Sequence, residues 1–395
     1  MPEGSGARRP AVVAAVVALV ALAVIGAGVF RTHDGDWTGP FLVGERGGEV
    51  AWPLPVAVQV SSGYDGQFFL ALAFDPFLTT GMVEALDDAE YRAHRITWSL
   101  AAWSFGLGSA PLRIAMLYAL LVAGVAALGY WIARLSSNHG ESPWWGIAGA
   151  LGLGGLVCLQ RMLPDVLMAS FLAAMVVCLA RRSRGGDLGA TVCFTLAVLQ
   201  KETAILALPQ IGLALIERHK GHAVKWLAVP VVTVAGWWGY VDRAVATDGH
   251  FSLAIPFSYP GQGWFAAMDL VLERSTDLLR LTKDCAFLGL HAVAILLGLT
   301  LGLSQLARAM RGWPVHGLAA SIGLFALLGT FLSLQVWVEP WAYARVLLPL
   351  LMLLLLYSLE ATAERWVRLS SKGVILASFL GGSLFALRNI IAAVP

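Results

Sequence analysis

Charge is what this chain has least of. Asp, Glu, Lys and Arg together make up 13% of its 395 residues, about half the share usual in soluble domains, while 58% are hydrophobic. With a mean hydropathy of +0.73, an ordinary soluble domain is excluded and a polytopic membrane protein is expected. The formal net charge is only +2, so no basic field points to nucleic acid and no such partner is expected. Cysteine is scarce as well: Cys158, Cys178 and Cys193 fall inside apolar runs and Cys285 borders one, which excludes a disulfide framework or a thiolate metal cluster. No fixed-period repeat and no low-complexity tail is visible, so residues 1–395 read as one integral membrane domain.

What the chain has in quantity is long apolar runs. The first, residues 10–30, follows Arg8 and Arg9 and is long enough to cross a bilayer, which takes about 20 residues. The run is longer than a signal-peptide h-region and no crisp small-x-small cleavage site precedes Arg31, so residues 1–30 read as an uncleaved anchor with its N-terminus cytoplasmic. Further runs lie near 111–133, 144–160, 164–180, 188–200, 203–217, 223–241, 285–304, 315–334, 343–360 and 373–392. The expected fold is therefore all-α, with about eleven transmembrane or half-membrane helices. Alternation from a cytoplasmic N-terminus puts Arg134, the basic residues of 181–184 and 217–220, Arg308 with Arg311, and Arg365, Arg368 and Lys372 on the inner side, as the positive-inside rule requires. It leaves a large first outer loop, 31–95, with short outer stretches at 160–165 and 335–343 and a second large loop at 242–283. Residues 96–241 and 284–395 supply the remaining helices.

One region is too short for its crossings. Only about 30 residues separate the basic clusters at 181–184 and 217–220, so 188–217 reads as a re-entrant hairpin of half-depth helices meeting at Gln200-Lys201-Glu202-Thr203. Lys201 and Glu202 would then lie near mid-bilayer, where a charge costs about 3 kcal/mol. They either line a wet cavity or neutralise each other as a plug.

The expected outer side carries the candidate chemistry. In "SSGYDGQFFLALAFDPF", residues 61–77, the apolar run after Gln67 is too short to span and is closed by Asp75-Pro76, which predicts a short helix on the membrane surface. Asp65 stands at its N-cap position, where a carboxylate accepts backbone N–H groups. The same carboxylate could act as a general base toward an acceptor hydroxyl. Tyr64, Gln67 and Asp75 are candidate substrate contacts in that stretch. In "YRAHRI", Arg92 and Arg95 are three apart and share a face if helical, suited either to phosphate oxygens or to snorkelling toward lipid headgroups. Arg161 and Asp165 flank Pro164 at a helix start, and Asp165 suits the positive end of the following helix. Glu339 and Arg345 lie beside Trp337 and Trp341, residues typical of an interfacial belt. The Asp34-x-Asp36 pair in "HDGDW" is a three-residue metal motif, too short to carry a metal assignment. No cofactor is expected, a divalent cation being the one candidate.

Taken in order, "GYDGQFF…DPF", "YRAHRI", "LPD" at 163–165, "QKETAIL" at 200–206 and "RVLLPL" at 345–350 resemble a family of bacterial membrane proteins linked to cell-surface glycopolymer formation, itself similar to the C-type (GT-C) glycosyltransferases. The resemblance covers residues from about 60 to 360, and Gly-Tyr-Asp-Gly-Gln is its most specific piece. It implies a GT-C-like topology in the bacterial inner membrane, a polyprenyl-phosphate-linked sugar as donor, and a periplasmic or surface glycan as acceptor. It places the family's two outer acidic positions on Asp65 and Asp165, and lets Lys201, Arg92, Arg95 or Arg345 hold the lipid phosphate. One departure is that Trp98 and Ser99 stand where the family often has proline. The aromatic, glycine-bearing stretch "IPFSYPGQGW" at 255–264 is the expected acceptor side. Two other readings fit the sequence: a transporter or flippase of lipid-linked glycans, which also uses broken helices, and a non-catalytic subunit of glycan assembly.

Overall fold

The computed structural model describes residues 8–245, 257–274, 278–360 and 363–392. The protein is mostly helical, at 78%. In chain order the helices are α1 (Arg8–Thr32), α2 (Gly66–Phe74), α3 (Ala89–Ala93), α4 (Thr97–Phe105), α5 (Ala110–Asn138), α6 (Trp145–Ala150), α7 (Leu153–Gln160), α8 (Asp165–Ala180) and α9 (Arg184–Gln200). They continue as α10 (Leu208–His219), α11 (Ala223–Val245), α12 (Gln262–Arg274), α13 (Leu278–Met310), α14 (Gly317–Phe331), α15 (Pro340–Val346), α16 (Leu348–Ser358) and α17 (Arg365–Ala392). Two strands of two residues, β1 (Val43–Gly44) and β2 (Val58–Gln59), pair in parallel with Val43 opposite Val58.

Among the described residues, five helical stretches are long and apolar enough to cross a membrane: Arg8–Thr32, Ala110–Asn138, Glu202–Val245, Leu281–Met310 and Arg365–Leu387. A sixth results if α15 and α16, bent by 47°, form one span. The count of about eleven transmembrane or half-membrane helices is not confirmed, since several apolar runs are short or broken. Helix α8 has 16 residues, about 24 Å at 1.5 Å per residue, against roughly 30 Å of hydrocarbon. The run at 144–160 divides into α6 and α7. Among the described residues of the second large loop expected at 242–283, α12 lies inside it and α13 starts at Leu278. Of its aromatic stretch, Ile255 and Pro256 lie outside the described residues.

The short helices form the interior. Every residue of α16, from Leu348 to Ser358, is buried, as expected of a helix that is apolar all round. Around it pack α8, α14, α13 and α17, while α1 packs along α5. Helix α9 is started by Ser183, whose hydroxyl accepts from the Gly186 N–H at 3.1 Å. It breaks at Lys201, which is extended (φ −161°, ψ 125°), and a 3-10 turn, Glu202–Ala207, leads into α10. The carbonyl of Leu199 near the break accepts from the Ile96 N–H at 2.9 Å, and Gln200 Oε1 accepts from the Trp98 N–H at 3.0 Å. A proline at 98 has no N–H for that second bond; the Trp98 indole itself donates to the Leu117 carbonyl at 3.0 Å. The far ends of the two arms meet as well, because Asp187 of α9 pairs with Arg218 and His219 of α10.

Helix α2 forms where the sequence predicts a short helix but does not lie on a surface. All nine of its residues are buried, packed against α4 and α5. The run Phe-Phe-Leu-Ala-Leu-Ala-Phe is apolar on every face because every face meets protein.

Helices α13 and α14 cross at two glycines. A methyl carbon added to Gly302 would lie 2.7 Å from the Gly323 Cα, and one added to Gly323 would collide with the Gly302 Cα. Such close approach is how small residues strengthen helix contacts in membranes. Gly323→Val is expected to destabilise the protein by about 1–3 kcal/mol or more through overpacking, read as a lower thermal midpoint in detergent. An unchanged midpoint would mean that the crossing yields without cost.

Candidate active site

Asp65 precedes α2 at its N-cap position, yet its side chain makes no cap hydrogen bond. The carboxylate turns to two guanidinium groups instead, 2.6 Å from Arg345 Nη2 and 3.2 Å from Arg92 Nη2. The capping role expected of it is therefore overturned: ion pairing takes both oxygens. Gly66, the next residue, has no room for a side chain, since an added Cβ would lie 2.8 Å from the Arg161 carbonyl oxygen and 2.9 Å from that of Phe41. The glycine lets the start of α2 press against these two segments and so sets where Asp65 points.

From Asp65 a line of alternating charge runs both ways. Arg92, in α3, forms a two-pronged bond to Asp87, with Nε to Oδ1 and Nη2 to Oδ2 both at 2.8 Å, and lies 4.2 Å over the Phe68 ring. Arg345, in α15, reaches Asp165 Oδ2 with Nη1 at 3.8 Å, and Asp165 Oδ1 is paired with Lys201. Beside this line, Arg95 forks onto Glu202, with Nε at 2.8 Å from Oε2 and Nη2 at 2.5 Å from Oε1. Its guanidinium also donates to the Tyr91 hydroxyl and lies 4.0 Å over that ring. Arg92, Arg95, Asp165 and Lys201 are all buried. The two arginines thus do not snorkel to a surface, and they do not share one helical face, because α3 ends at Ala93. Lys201 and Glu202 do not neutralise each other either; each takes a partner from another element.

Tyr64, Arg161 and Glu339 border the Asp65–Arg345 pair. The Arg161 guanidinium lies 5.3 Å from the Tyr64 ring centre and 5.0 Å from that of Trp341, and Arg345 lies 5.2 Å over Tyr64. Glu339 accepts from Trp341 Nε1 at 2.7 Å and so fixes the indole. The Tyr64 hydroxyl and Arg345 Nε are buried without a protein partner.

Gln67 and Asp75 stand apart as structural residues. Gln67 accepts from the Gly44 N–H at 3.0 Å and donates to the Ser62 carbonyl at 3.2 Å, which anchors β1 to the loop before α2. Asp75 accepts from the backbone N–H and hydroxyl of both Thr79 and Thr80, closing the turn after α2. With their hydrogen bonds spent inside the protein, neither is placed to meet a substrate. Asp36 of the Asp-x-Asp motif is likewise used in a turn, accepting from the Thr38 N–H and hydroxyl at 2.7 Å each.

Two members of the cluster escape a reading of the sequence: Asp87, five residues before Arg92, and Tyr91, four before Arg95. Only the Tyr91–Arg95 spacing matches an i,i+4 pair; Asp87 and Arg95 both lie outside α3, so helical periodicity could not mark the Asp87 contact. Glu90, His94 and Asp242 bring ligating atoms within 4.8 Å of one another. Asp242 is exposed, and three such groups do not by themselves assign a metal.

Electrostatically the cluster balances itself. Burial alone would raise the Asp65 pKa, but Arg345 and Arg92 outweigh it and hold the carboxyl below the usual range. Burial pushes the Tyr64 phenol above its ordinary value, so it stays protonated and able to donate. Compared with known protein families, curated proteins and solved structures, the chain matches none.

Two outcomes follow from the pairing. Lys201→Met leaves Asp165 without its close cation and is expected to cost about 3–5 kcal/mol, whereas Lys201→Met with Asp165→Asn should recover much of that loss; thermal unfolding of the single and double variants checks it. Because the Asp65 pKa is depressed by folding, its contribution is full above the unfolded value of about 3.9 and fades only as pH falls toward the lower folded value. The stability gap between the native protein and Asp65→Asn should therefore hold from pH 8 to about 4.5 and shrink in stronger acid.

Proposed function

We propose that this protein is a membrane glycosyltransferase of GT-C-like topology, moving a sugar from a polyprenyl-phosphate donor to a periplasmic or cell-surface glycan. The observation that carries the reading is the convergence of Asp65, Asp165, Lys201, Arg92, Arg95 and Arg345, drawn from residues 65 to 345, into one largely buried cluster in which Asp65 and Arg345 are part-exposed. Ionisable groups kept inside a membrane protein are functional by default, since insertion costs select against idle ones. The location this implies is a bacterial inner membrane with the N-terminus cytoplasmic and the cluster toward the exterior.

In this reading the acceptor hydroxyl oxygen forms a bond to the anomeric carbon while the carbon–oxygen bond to phosphate breaks. The electron pair leaves on the phosphate oxygen and the hydroxyl proton passes to Asp65. Fixed cations in a water-poor site are most effective where charge develops, here on the departing phosphate. In the resting state Arg345 and Arg92 weaken Asp65 as a base. A bound phosphate competes for those guanidinium groups and restores its basicity when the donor is in place. Asp165, held between Lys201 and Arg345, positions both cations. Inversion at the anomeric carbon is what the family resemblance implies.

A groove of about 970 Å³ between α1 and α5, lined by residues such as Leu22, Ile25, Ile114 and Tyr118, is suited to the lipid chain.

The break at Lys201 also favours a transporter of lipid-linked glycans, a class that uses interrupted helices. Asp65→Asn alone does not separate the readings, because it unbalances the cluster, leaving Arg92 only Asp87 and Arg345 only Asp165. Asp65→Glu keeps the charge and displaces the carboxylate by one methylene. It is expected to lower sugar transfer from lipid-linked donor in membranes about a hundredfold while expression stays normal. Undiminished transfer in both variants would end the base assignment. Movement of lipid-linked glycan across the bilayer with the sugar linkage unchanged would favour the transporter.

A further inference from the structure

Five cations surround Asp65 and Asp165, and four of them are already engaged. Arg92 has Asp65 and Asp87, Arg95 has Glu202, Lys201 has Asp165, and Arg345 has both Asp65 and Asp165. Any anion that enters must first displace a carboxylate to reach one of these. Arg161 differs. Among the described residues no carboxylate lies within ion-pairing distance of it, and its side chain donates no hydrogen bond to the protein; its contacts are the Tyr64 and Trp341 rings. Aromatic contacts of this kind leave the guanidinium's N–H donors to be satisfied from outside.

Its position is fixed rather than loose. Arg161 follows the last residue of α7, and the chain then turns through Met162 in the left-handed region (φ 49°) before the Leu163 N–H bonds back to the Cys158 carbonyl at 2.9 Å. The Arg161 carbonyl packs against Gly66, the residue after Asp65. Trp341 is held by Glu339, and the unpartnered Tyr64 hydroxyl belongs to the same wall. Glu339, which the sequence offers as a substrate contact, thus acts as a positioning residue for the indole.

We propose that Arg161 is the docking point for the phosphate group of a phosphorylated lipid, with Tyr64 and Trp341 holding its guanidinium in place. The assignment rests on the lipid-phosphate reading above and sharpens it. Phosphate arrives at the uncommitted cation, and only then competes with Asp65 for Arg345, which shares the Tyr64 ring with Arg161. The four paired cations are thereby spared as first contacts.

The test uses the full chain in non-ionic detergent and measures binding of farnesyl phosphate by titration calorimetry, with farnesol and dihexanoyl-phosphatidylglycerol as comparison ligands. Farnesyl phosphate should bind and farnesol should not. Arg161→Gln should weaken that binding about tenfold or more, Arg161→Lys by less, since lysine keeps charge but not the planar fork. Arg311→Gln, which removes an exposed arginine lying over Trp313, should leave it unchanged. The thermal midpoint of each unliganded variant confirms folding. Equal binding of farnesyl phosphate to the native protein and Arg161→Gln would overturn the docking assignment and leave the transferase reading intact. Failure of the native protein to bind either phosphate ligand would overturn both. Arg161-dependent binding of dihexanoyl-phosphatidylglycerol at least as tight as that of farnesyl phosphate would support the docking point and assign it to a phospholipid headgroup rather than to the donor.

Discussion

A charge enclosed by apolar protein must meet an opposite charge there, and the structure around Asp65 follows from that demand. Its carboxylate binds Arg345 from α15 and Arg92 from α3. Arg345 reaches Asp165 at the start of α8, which in turn holds Lys201 at the break after α9. Most members have two partners, so losing one link leaves the others, except that Lys201 depends on Asp165 alone and would be left as an uncompensated buried charge without it. The cluster therefore acts as a tie between segments far apart in sequence, whatever chemistry it also performs.

The same tie explains the irregular backbone around it. Helix α9 stops at Lys201, and the released polar groups are taken up by Ile96 and by Trp98 at the start of α4. Helices α15 and α16 bend by 47° at Leu347, just past Arg345. Broken helices are tolerated within membrane proteins where neighbours satisfy the freed backbone, and both breaks here adjoin a charged member of the cluster. Regular helices would have sent Lys201 and Arg345 on the helical repeat rather than toward Asp165.

A self-neutral cluster is a poor anion receptor until something disturbs it. That makes the residues at its border as consequential as those at its centre. Arg161, over the Tyr64 and Trp341 rings, has no carboxylate in ion-pairing contact among the described residues. Approach of an anion there requires no ion pair to break, and the shared Tyr64 ring brings the anion next to Arg345. Resting order and responsiveness are thus divided between different arginines.

Composition alone determined that the chain is helical and membrane-like, because apolar runs long enough to span can satisfy their backbone only as helices. Charges inside or beside apolar runs singled out Lys201, Glu202 and Arg345, since such a charge is costly and needs a reason, while Asp65 and Asp165 stood out at helix starts and through the family resemblance. The number of crossings was not legible: α8 and α16 read as spans by hydropathy but are short helices enclosed by others, and hydropathy does not distinguish a lipid-facing side chain from a protein-facing one. Local pattern also misled at Asp65, Gln67 and Asp75. A cap, a substrate contact and a structural turn use the same residue types, and only the position of Arg345, Gly44 and Thr80 tells them apart. Which carboxylate meets which cation was decided by the tertiary structure, because ion pairing acts through space and residues 65, 165, 201 and 345 carry no trace in sequence of being neighbours.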